Sequence, residues 1–296
     1  KGGLTTSVDV LGKRFAARNV KSSMFPEYFA AVFPPDETMQ LQKTLSNLPS
    51  GEVNRDWRPT TYGANLEIWA AHSGSKVARW VLAAVRLKRG VWAVLLILAA
   101  AAAAALPTPR RRIPGAASVA IAYTGFTAMS MAVLLIYAFQ VKCGYVYEWI
   151  GLLTASFVGG LALGGAAGSI GNAGRARLVL AEAVLVLVPV ASACCLAYVA
   201  RHMTSDGASY AIPGIAAVAG LAVGFEFPIA ASVLAARGRA AVEAGSRLQI
   251  LDQAGACVGA LLTGVIIIPA LGMWWSLAVL AAVKMCSAAC VIVSKD

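Results

Sequence analysis

The chain has 296 residues, of which 59% are hydrophobic and only 13% are charged. A soluble globular domain carries about 25% charged residues, so most of this chain is membrane protein rather than soluble domain. The formal net charge is +11, but the basic residues cluster at the ends of apolar runs, where positive charge sets membrane topology. Because no basic face is interleaved with exposed aromatic residues, we expect no nucleic-acid partner.

Residues 1–75 differ in composition from the rest of the chain. Polar residues and turn formers are common there, and no long apolar run occurs. A short helix is predicted from Asp36 to Leu48, with Asp36 as its N-cap. Core residues are too few for this segment to fold alone, and the chain begins with Lys1 without a signal-peptide pattern. We therefore expect residues 1–75 to be the C-terminal end of a larger soluble module in a longer protein.

Residues 76–90 form a basic amphipathic stretch between the soluble segment and the apolar remainder. Val77, Trp80 and Val81 share one helical face, while Lys76 and Arg79 lie off that face. A helix of this kind lies in the headgroup region of a bilayer. We interpret the stretch as an interfacial joint.

Residues 91–296 are predicted to be a multi-spanning membrane domain whose direct partner is the lipid bilayer. A membrane helix needs about 20 apolar residues, so the first run is marginal and the later ones are sufficient. The predicted spans are residues 91–106, 114–140, 149–171, 176–200, 210–236, 248–273 and 274–294. A tight turn at Gly272 and Met273 would make the last two helices a hairpin. The predicted fold is a mainly α, polytopic bundle of about seven spans.

Basic residues follow the first, third and fifth predicted spans, and the other loops carry little charge. The positive-inside rule places these three loops in the cytoplasm. Whether residues 91–106 cross the membrane then decides the side on which residues 1–75 lie, and the sequence leaves that open. The basic residues concerned are Arg110, Arg111, Arg112, Arg175, Arg177, Arg237, Arg239 and Arg247.

Besides Arg177 at the second residue of one span, four charged residues lie inside predicted spans, where charge is costly and marks functional candidates. They are Glu182, Glu226, Asp252 and Lys284. Glu182 and Asp252 sit within a turn or two of a span end, so their side chains could snorkel to water. Glu226 lies deeper. We hypothesise that the three acids bind a cationic substrate, with Glu226 as the central one.

The surroundings of Glu226 favour a cation site. Pro228 has no N–H and frees the carbonyl of Gly224, and Phe225 and Phe227 could offer ring faces to a cation. The alternative is that Lys284 already pairs with one of the acids and neutralises it. The sequence leaves both interpretations open.

Glycines recur every fourth residue within several spans. Such spacing lets two helix backbones approach closely, so we predict helix-packing roles for these residues. The residues are Gly160, Gly164 and Gly168 in one span and Gly255 and Gly259 in another. The six cysteines include no CxxC pair, and no metal site is predicted.

Three motifs together resemble the membrane-fused spermidine synthase-like proteins. They are Asn-x-Asp-x-x-Pro-x-x-Tyr at residues 54–62, Gly-Tyr-Val-Tyr-Glu at residues 144–148, and Leu-Asp-x-x-Gly-Ala-x-x-Gly-Ala-Leu-Leu-Thr-Gly from Leu251. That family joins polyamine aminopropyltransferase modules to multi-spanning helices, and its membrane part is similar to half of a major facilitator transporter. The resemblance covers residues 53–272.

The resemblance implies that residues 1–75 are the remnant of a soluble α/β synthase-like module. It implies a parent activity, the transfer of an aminopropyl group from decarboxylated S-adenosylmethionine to a polyamine, in a bacterial inner membrane. Asp56 is the one catalytic candidate in this chain, and the alternative for Asp56 is a turn cap or a pair with Arg55 or Arg58.

No Gly-rich nucleotide loop occurs. We therefore expect the catalytic core in the N-terminal remainder of the parent, which would be a partner of this chain, and no cofactor in the chain itself. The alternatives are a major-facilitator-like transporter unit for polyamines or other cations, whose soluble module is degenerate, and a plain membrane anchor.

Overall fold

The computed structural model describes residues 113–144, 147–171, 174–236 and 241–294, together with the single helical residue Ala83. These residues are almost entirely helical and include no strand. The predictions for residues 1–75, for the catalytic candidate Asp56 and for the span at residues 91–106 lie outside the described residues. The joint at residues 76–90 lies outside them as well, apart from Ala83.

Six α-helices and one π-helical segment make up the described structure. Their bounds are α1 Ile113–Cys143, α2 Tyr147–Ser169, α3 Arg175–His202, α4 Ser205–Ala235, α5 Ala241–Leu262, the π segment Thr263–Ile267, and α6 Ile268–Val293. Among the described residues, five helical runs are long and apolar enough to cross a membrane, and the last, Val242–Val293, contains α5, the π segment and α6. A helical, polytopic architecture is thus confirmed, and it is compatible with an integral membrane protein.

Helix α4 begins five residues before the apolar run that predicted it. Thr204 precedes the helix with extended backbone, and its side chain accepts a hydrogen bond from the backbone N–H of Gly207. Asp206 in the first turn places a negative charge at the helix N-terminus. Capping chemistry, rather than hydrophobicity, therefore sets this boundary.

Glycines hold α2 against α4. A Cβ built on Gly160 would lie 2.1 Å from the carbonyl oxygen of Ala217, and one on Gly168 would lie 2.3 Å from that of Phe225. Such distances leave no room for a side chain, so the two backbones are in direct contact. Because both residue numbers rise together along the contact, α2 and α4 run in the same direction.

The same device joins α1 to α5. A Cβ on Gly255 would lie 2.0 Å from the carbonyl oxygen of Ala122, and one on Gly259 would lie 2.4 Å from that of Phe126. Here too the numbers rise together, so α5 runs in the direction of α1. Helix α1 is the centre of the bundle, since it packs against α4, α5 and α6 and also touches α2 and α3.

Helix α6 runs opposite to α1 and α3. Lys284 contacts Thr124 of α1, whereas Leu277, earlier in α6, shares a core cluster with Leu135, later in α1. Arg175 at the start of α3 donates to the carbonyl of Ile292 near the end of α6, at 2.5 Å. Helices α1, α3 and α5 therefore begin at the same end of the bundle. That end carries the basic residues Arg175, Arg177 and Arg247.

The chain reverses direction at Gly272, which is the fifth residue of α6. Its backbone has φ 75° and ψ 177°, inside a run that is otherwise helical. Side chains other than hydrogen strongly disfavour this conformation. The hydroxyl of Ser276 donates to the carbonyl of Gly272 at 2.6 Å and holds the turn.

We expect Gly272→Ala to lower the free energy of unfolding by about 1–3 kcal/mol, because an alanine there would be held in a sparsely populated backbone region. Chemical unfolding in detergent micelles measures the change. Gly264→Ala is the matched control, because an added Cβ at Gly264 meets no atom within 4 Å. Equal stability of the Gly272 variant and the wild type would contradict the strained turn.

Candidate functional site

Three of the four intramembrane charges meet in the middle of the bundle. Glu182 comes from α3, Glu226 from α4 and Lys284 from α6, and Thr124 of α1 lies among them. The three charged side chains are 0% exposed. We call Glu182, Glu226 and Lys284 the ion network.

Lys284 is the hub of the ion network. Its Nζ lies 3.0 Å from Glu182 Oε1 and 3.3 Å from Glu226 Oε2, and it also donates to Thr124 Oγ1. An ammonium group has three N–H donors, and each of them has an acceptor here. All three donors of the Lys284 ammonium group are therefore hydrogen-bonded.

The two carboxyl groups are each satisfied on one oxygen only. Ser287 donates to Glu182 Oε1 at 2.8 Å, and Thr124 donates to Glu226 Oε2. Among the described residues, Glu182 Oε2 and Glu226 Oε1 are buried without a hydrogen-bond partner. Each carboxyl thus has one oxygen without a donor among these residues, and the two carboxyl groups lie within hydrogen-bonding reach of each other.

The charges of the ion network do not balance when both acids are ionised. Two carboxylates face one ammonium, which leaves one uncompensated negative charge in a fully buried site. An unpaired buried charge has an effective penalty of several kcal/mol. A proton or a monovalent cation on one of the unpartnered oxygens would remove that penalty.

The place of Glu182 near a predicted span end left snorkelling to water open, but the side chain does not reach the surface. Its side chain is 0% exposed. Seven residues separate it from the start of α3 at Arg175, about 10 Å along the axis at 1.5 Å per residue. The side chain instead turns inward, because Lys284 and Ser287 lie on the interior face.

The groups expected to support Glu226 lie on a different face of α4. Gly224 packs against the backbone of Leu161 in α2, and two residues on a helix are about 200° apart. The ring of Phe225 is covered by the guanidinium of Arg177, at 5.7 Å from the centroid. The carbonyl freed by Pro228 and the Phe225 ring therefore do not join the ion network.

Phe227 was the other ring expected beside Glu226. It packs against a core cluster that includes Ile229 and Leu234 of its own helix and Leu178 of α3. The surroundings of Glu226 are thus the polar groups of Thr124 and Lys284 rather than aromatic rings.

Asp252 lies next to the ion network but outside its hydrogen bonds. It is partly exposed on α5, and its Oδ1 would be 2.8 Å from a Cβ built on Gly125, the residue after Thr124. Its charge and that of Glu226 repel each other electrostatically. Asp252 therefore places a fourth charged group, partly exposed, beside the ion network.

Thr124 and Ser287 were not predicted from sequence. Single hydroxyl residues in apolar helices are ordinary and carry no pattern that marks them. The three-residue spacing of Thr124, Thr127 and Ser130 was the one readable signal, because such residues follow one another around a helix. Among the residues that the structure describes, no group of three or more His, Cys, Asp or Glu is placed to hold a metal ion.

Comparison with known proteins gives no relative. No protein-family model matches the chain, and neither a search of curated proteins nor a search of solved structures returns a match.

Proposed function

We propose that α1–α6 form a major-facilitator-like transport unit in which the ion network takes up and releases a proton. The observation that carries the proposal is the pairing of two fully buried carboxyl groups with one buried ammonium. One proton makes the network neutral, and its removal leaves one unbalanced charge. The network therefore has two protonation states that differ strongly in energy.

A plain membrane anchor would not need this arrangement. A charged residue at the centre of a membrane helix is costly by about 2.5–3.5 kcal/mol on insertion scales, and α3, α4 and α6 each carry one. An apolar core would hold the same helices together without that penalty. The retained charges support ion handling over anchoring.

The position of Lys284 supports a link between protonation and helix packing. Its ammonium ties α6 to α3 through Glu182 and to α4 through Glu226. A proton on one carboxyl weakens its ion pair with Lys284, so the ion pair with the other carboxylate becomes the stronger of the two. Protonation thus biases which neighbour α6 holds, as a local charge change that shifts a packing equilibrium.

The substrate class is proposed from the resemblance of residues 53–272 to spermidine synthase-like proteins. It points to polyamines, and to a parent protein of the bacterial inner membrane that transfers an aminopropyl group from decarboxylated S-adenosylmethionine. That enzymatic activity is proposed for the parent, whereas the described helices supply the transport unit. Asp252, partly exposed beside Glu226, is the acid proposed to meet the cation first.

Proton coupling is tested with the full chain in lipid vesicles that contain a pH-sensitive dye. Spermidine added outside is expected to move protons across the wild-type vesicles. Glu226→Gln and Glu182→Gln keep side-chain size and remove the second carboxylate, so each should reduce the flux at least about tenfold, within the range of coupling energies between sites. Glu243→Gln, an exposed acid on α5, is the matched control and should leave the flux unchanged.

The alternatives give different results in the same assay. A plain anchor gives no spermidine-driven flux above empty vesicles. An unaltered flux in both glutamine variants would mean that transport, if present, does not use the ion network.

A further inference from the structure

Three hydroxyl side chains follow one another along the buried side of α1. Thr124, Thr127 and Ser130 are 2%, 3% and 0% exposed. Each step of three residues advances about 4.5 Å and turns about 60° around the helix. The row therefore winds from the face that meets the ion network to the face that meets α5, and we call these three residues the hydroxyl stripe.

Both ends of the hydroxyl stripe are engaged. Thr124 contacts Glu226 and Lys284 at the ion network. At the other end, Thr263 donates to Ser130 Oγ at 2.8 Å, and Ser130 donates to the carbonyl of Gly259 at 3.3 Å. A polar connection thus starts at each end of the stripe.

The middle residue of the hydroxyl stripe, Thr127, makes no hydrogen bond through its side chain to the described residues, and its Oγ1 is buried. An unsatisfied buried hydroxyl destabilises the fold, and a buried water commonly satisfies such a group by hydrogen bonding to it. Thr127 lies one turn from Thr124, which contacts Glu226 at the ion network. One unsatisfied buried hydroxyl therefore lies between the two hydrogen-bonded ends of the stripe.

The far end of the hydroxyl stripe is also unusual. Thr263 is the first residue of the π segment Thr263–Ile267. Single π-helical turns inside α-helices occur frequently at functional sites. This segment leads toward Gly272, away from the end of the bundle that carries Arg175 and Arg177.

We propose that the hydroxyl stripe, completed by water at Thr127, is a proton path between Glu226 and the π segment. A hydronium ion of the solvent supplies the proton and is left as water. Each hydroxyl or water passes its own proton onward and accepts one from behind, so the path gains no charge and one proton arrives on the Glu226 carboxylate. The path leads from the ion network toward the end of the bundle opposite the basic residues. The inference rests on the proposed function in one respect, that the ion network holds a proton.

The titratable groups around the ion-network end of this path come from four helices. They are Glu182 of α3, Glu226 of α4, Asp252 of α5, and Lys284 and Cys290 of α6. The variants below change Thr127 and Thr263, which do not titrate. A change in the rate of proton exchange in these variants is therefore caused by the path and not by a change in the charge of the ion network.

The test is the rate of hydrogen–deuterium exchange of the protonated carboxyl, followed by its infrared C=O band in the full chain after transfer to heavy water. Thr127→Val removes the hydroxyl and keeps the shape. It is expected to slow the exchange about tenfold, the factor that one lost hydrogen bond adds to a barrier. Thr263→Val, at the far end, should slow it as well. Thr127→Ser keeps the hydroxyl and should exchange at the wild-type rate.

The results distinguish a proton path through Thr127 from a purely structural role of its side chain. Slow exchange in Thr127→Val with a normal rate in Thr127→Ser supports the path. A wild-type rate in Thr127→Val overturns the path and leaves the proton-holding network intact. A wild-type spectrum without any protonated carboxyl band overturns the network and the path together. A second readout is stability: if no water is bound, removal of an unsatisfied hydroxyl stabilises the protein, and a more stable Thr127→Val variant contradicts the proposal.

Discussion

Lys284→Met is expected to lower the free energy of unfolding by about 3–5 kcal/mol, the loss typical when one partner of a buried ion pair is removed. Methionine has a similar length and no charge, so the packing volume is nearly kept. The change leaves Glu182 and Glu226, both 0% exposed, without their common ammonium partner. The measurement is chemical unfolding in mixed detergent micelles.

The controls for this variant separate charge from shape. Glu182→Gln leaves one carboxylate and one ammonium, so its loss should stay under about 1.5 kcal/mol, the value of an ordinary hydrogen bond. The triple variant Glu182→Gln, Glu226→Gln, Lys284→Met removes all charge and should recover most of the lost stability. A Lys284→Met protein as stable as the wild type would mean that the network is not a true ion pair.

Gly164→Leu is expected to be the most damaging of the glycine substitutions, with a loss of about 3 kcal/mol, at the upper end of the usual overpacking range. A Cβ on Gly164 would lie 2.0 Å from the carbonyl oxygen of Leu221 and 2.9 Å from the backbone nitrogen of Phe225. Because these atoms belong to the backbone of α4, they cannot turn aside as a side chain could. The two helices must separate, and a lower Tm in detergent reports it.

The matched control lies on the same helix. Gly159 is exposed, and a Cβ there meets no atom within 4 Å. Gly159→Leu therefore adds the same side chain without a clash and should leave the melting curve close to that of the wild type. Equal melting of both variants would show that α2 and α4 are not in backbone contact.

The helices were predictable because hydrophobic runs are a strong and local signal. Among the described residues, five helical runs long and apolar enough to cross a membrane lie where apolar spans were predicted, and the last of them contains the turn indicated at Gly272. The boundaries were less predictable. The start of α4 depends on the cap at Thr204, which hydropathy does not register.

The candidate site was predictable in part. Glu226 and Lys284 could be identified as candidates because charged residues are rare inside apolar spans, where charge is costly. The partner of each charge was not predictable, because it depends on which helices adjoin. Glu182 illustrates the point. Its distance from the span end left access to water open, but its direction around α3 decided that it is fully buried.

The phenylalanine and proline residues next to Glu226 in sequence were predicted to form part of its site, and they do not for a related reason. Phe225 adjoins Glu226 in sequence, yet successive helical residues point about 100° apart. Phe225 instead lies under Arg177 at the junction of α2 and α3. Thr124, distant in sequence, is the residue that contacts both Glu226 and Lys284.

The most direct test of the ion network is the infrared spectrum of the full chain in lipid at neutral pH, compared with the spectra of Glu182→Gln and Glu226→Gln. The network predicts one protonated buried carboxyl in the wild type, shared between the two glutamates, and the loss of its band in each variant, because one carboxylate then matches one ammonium. A wild-type spectrum in which both glutamates are ionised would contradict the account.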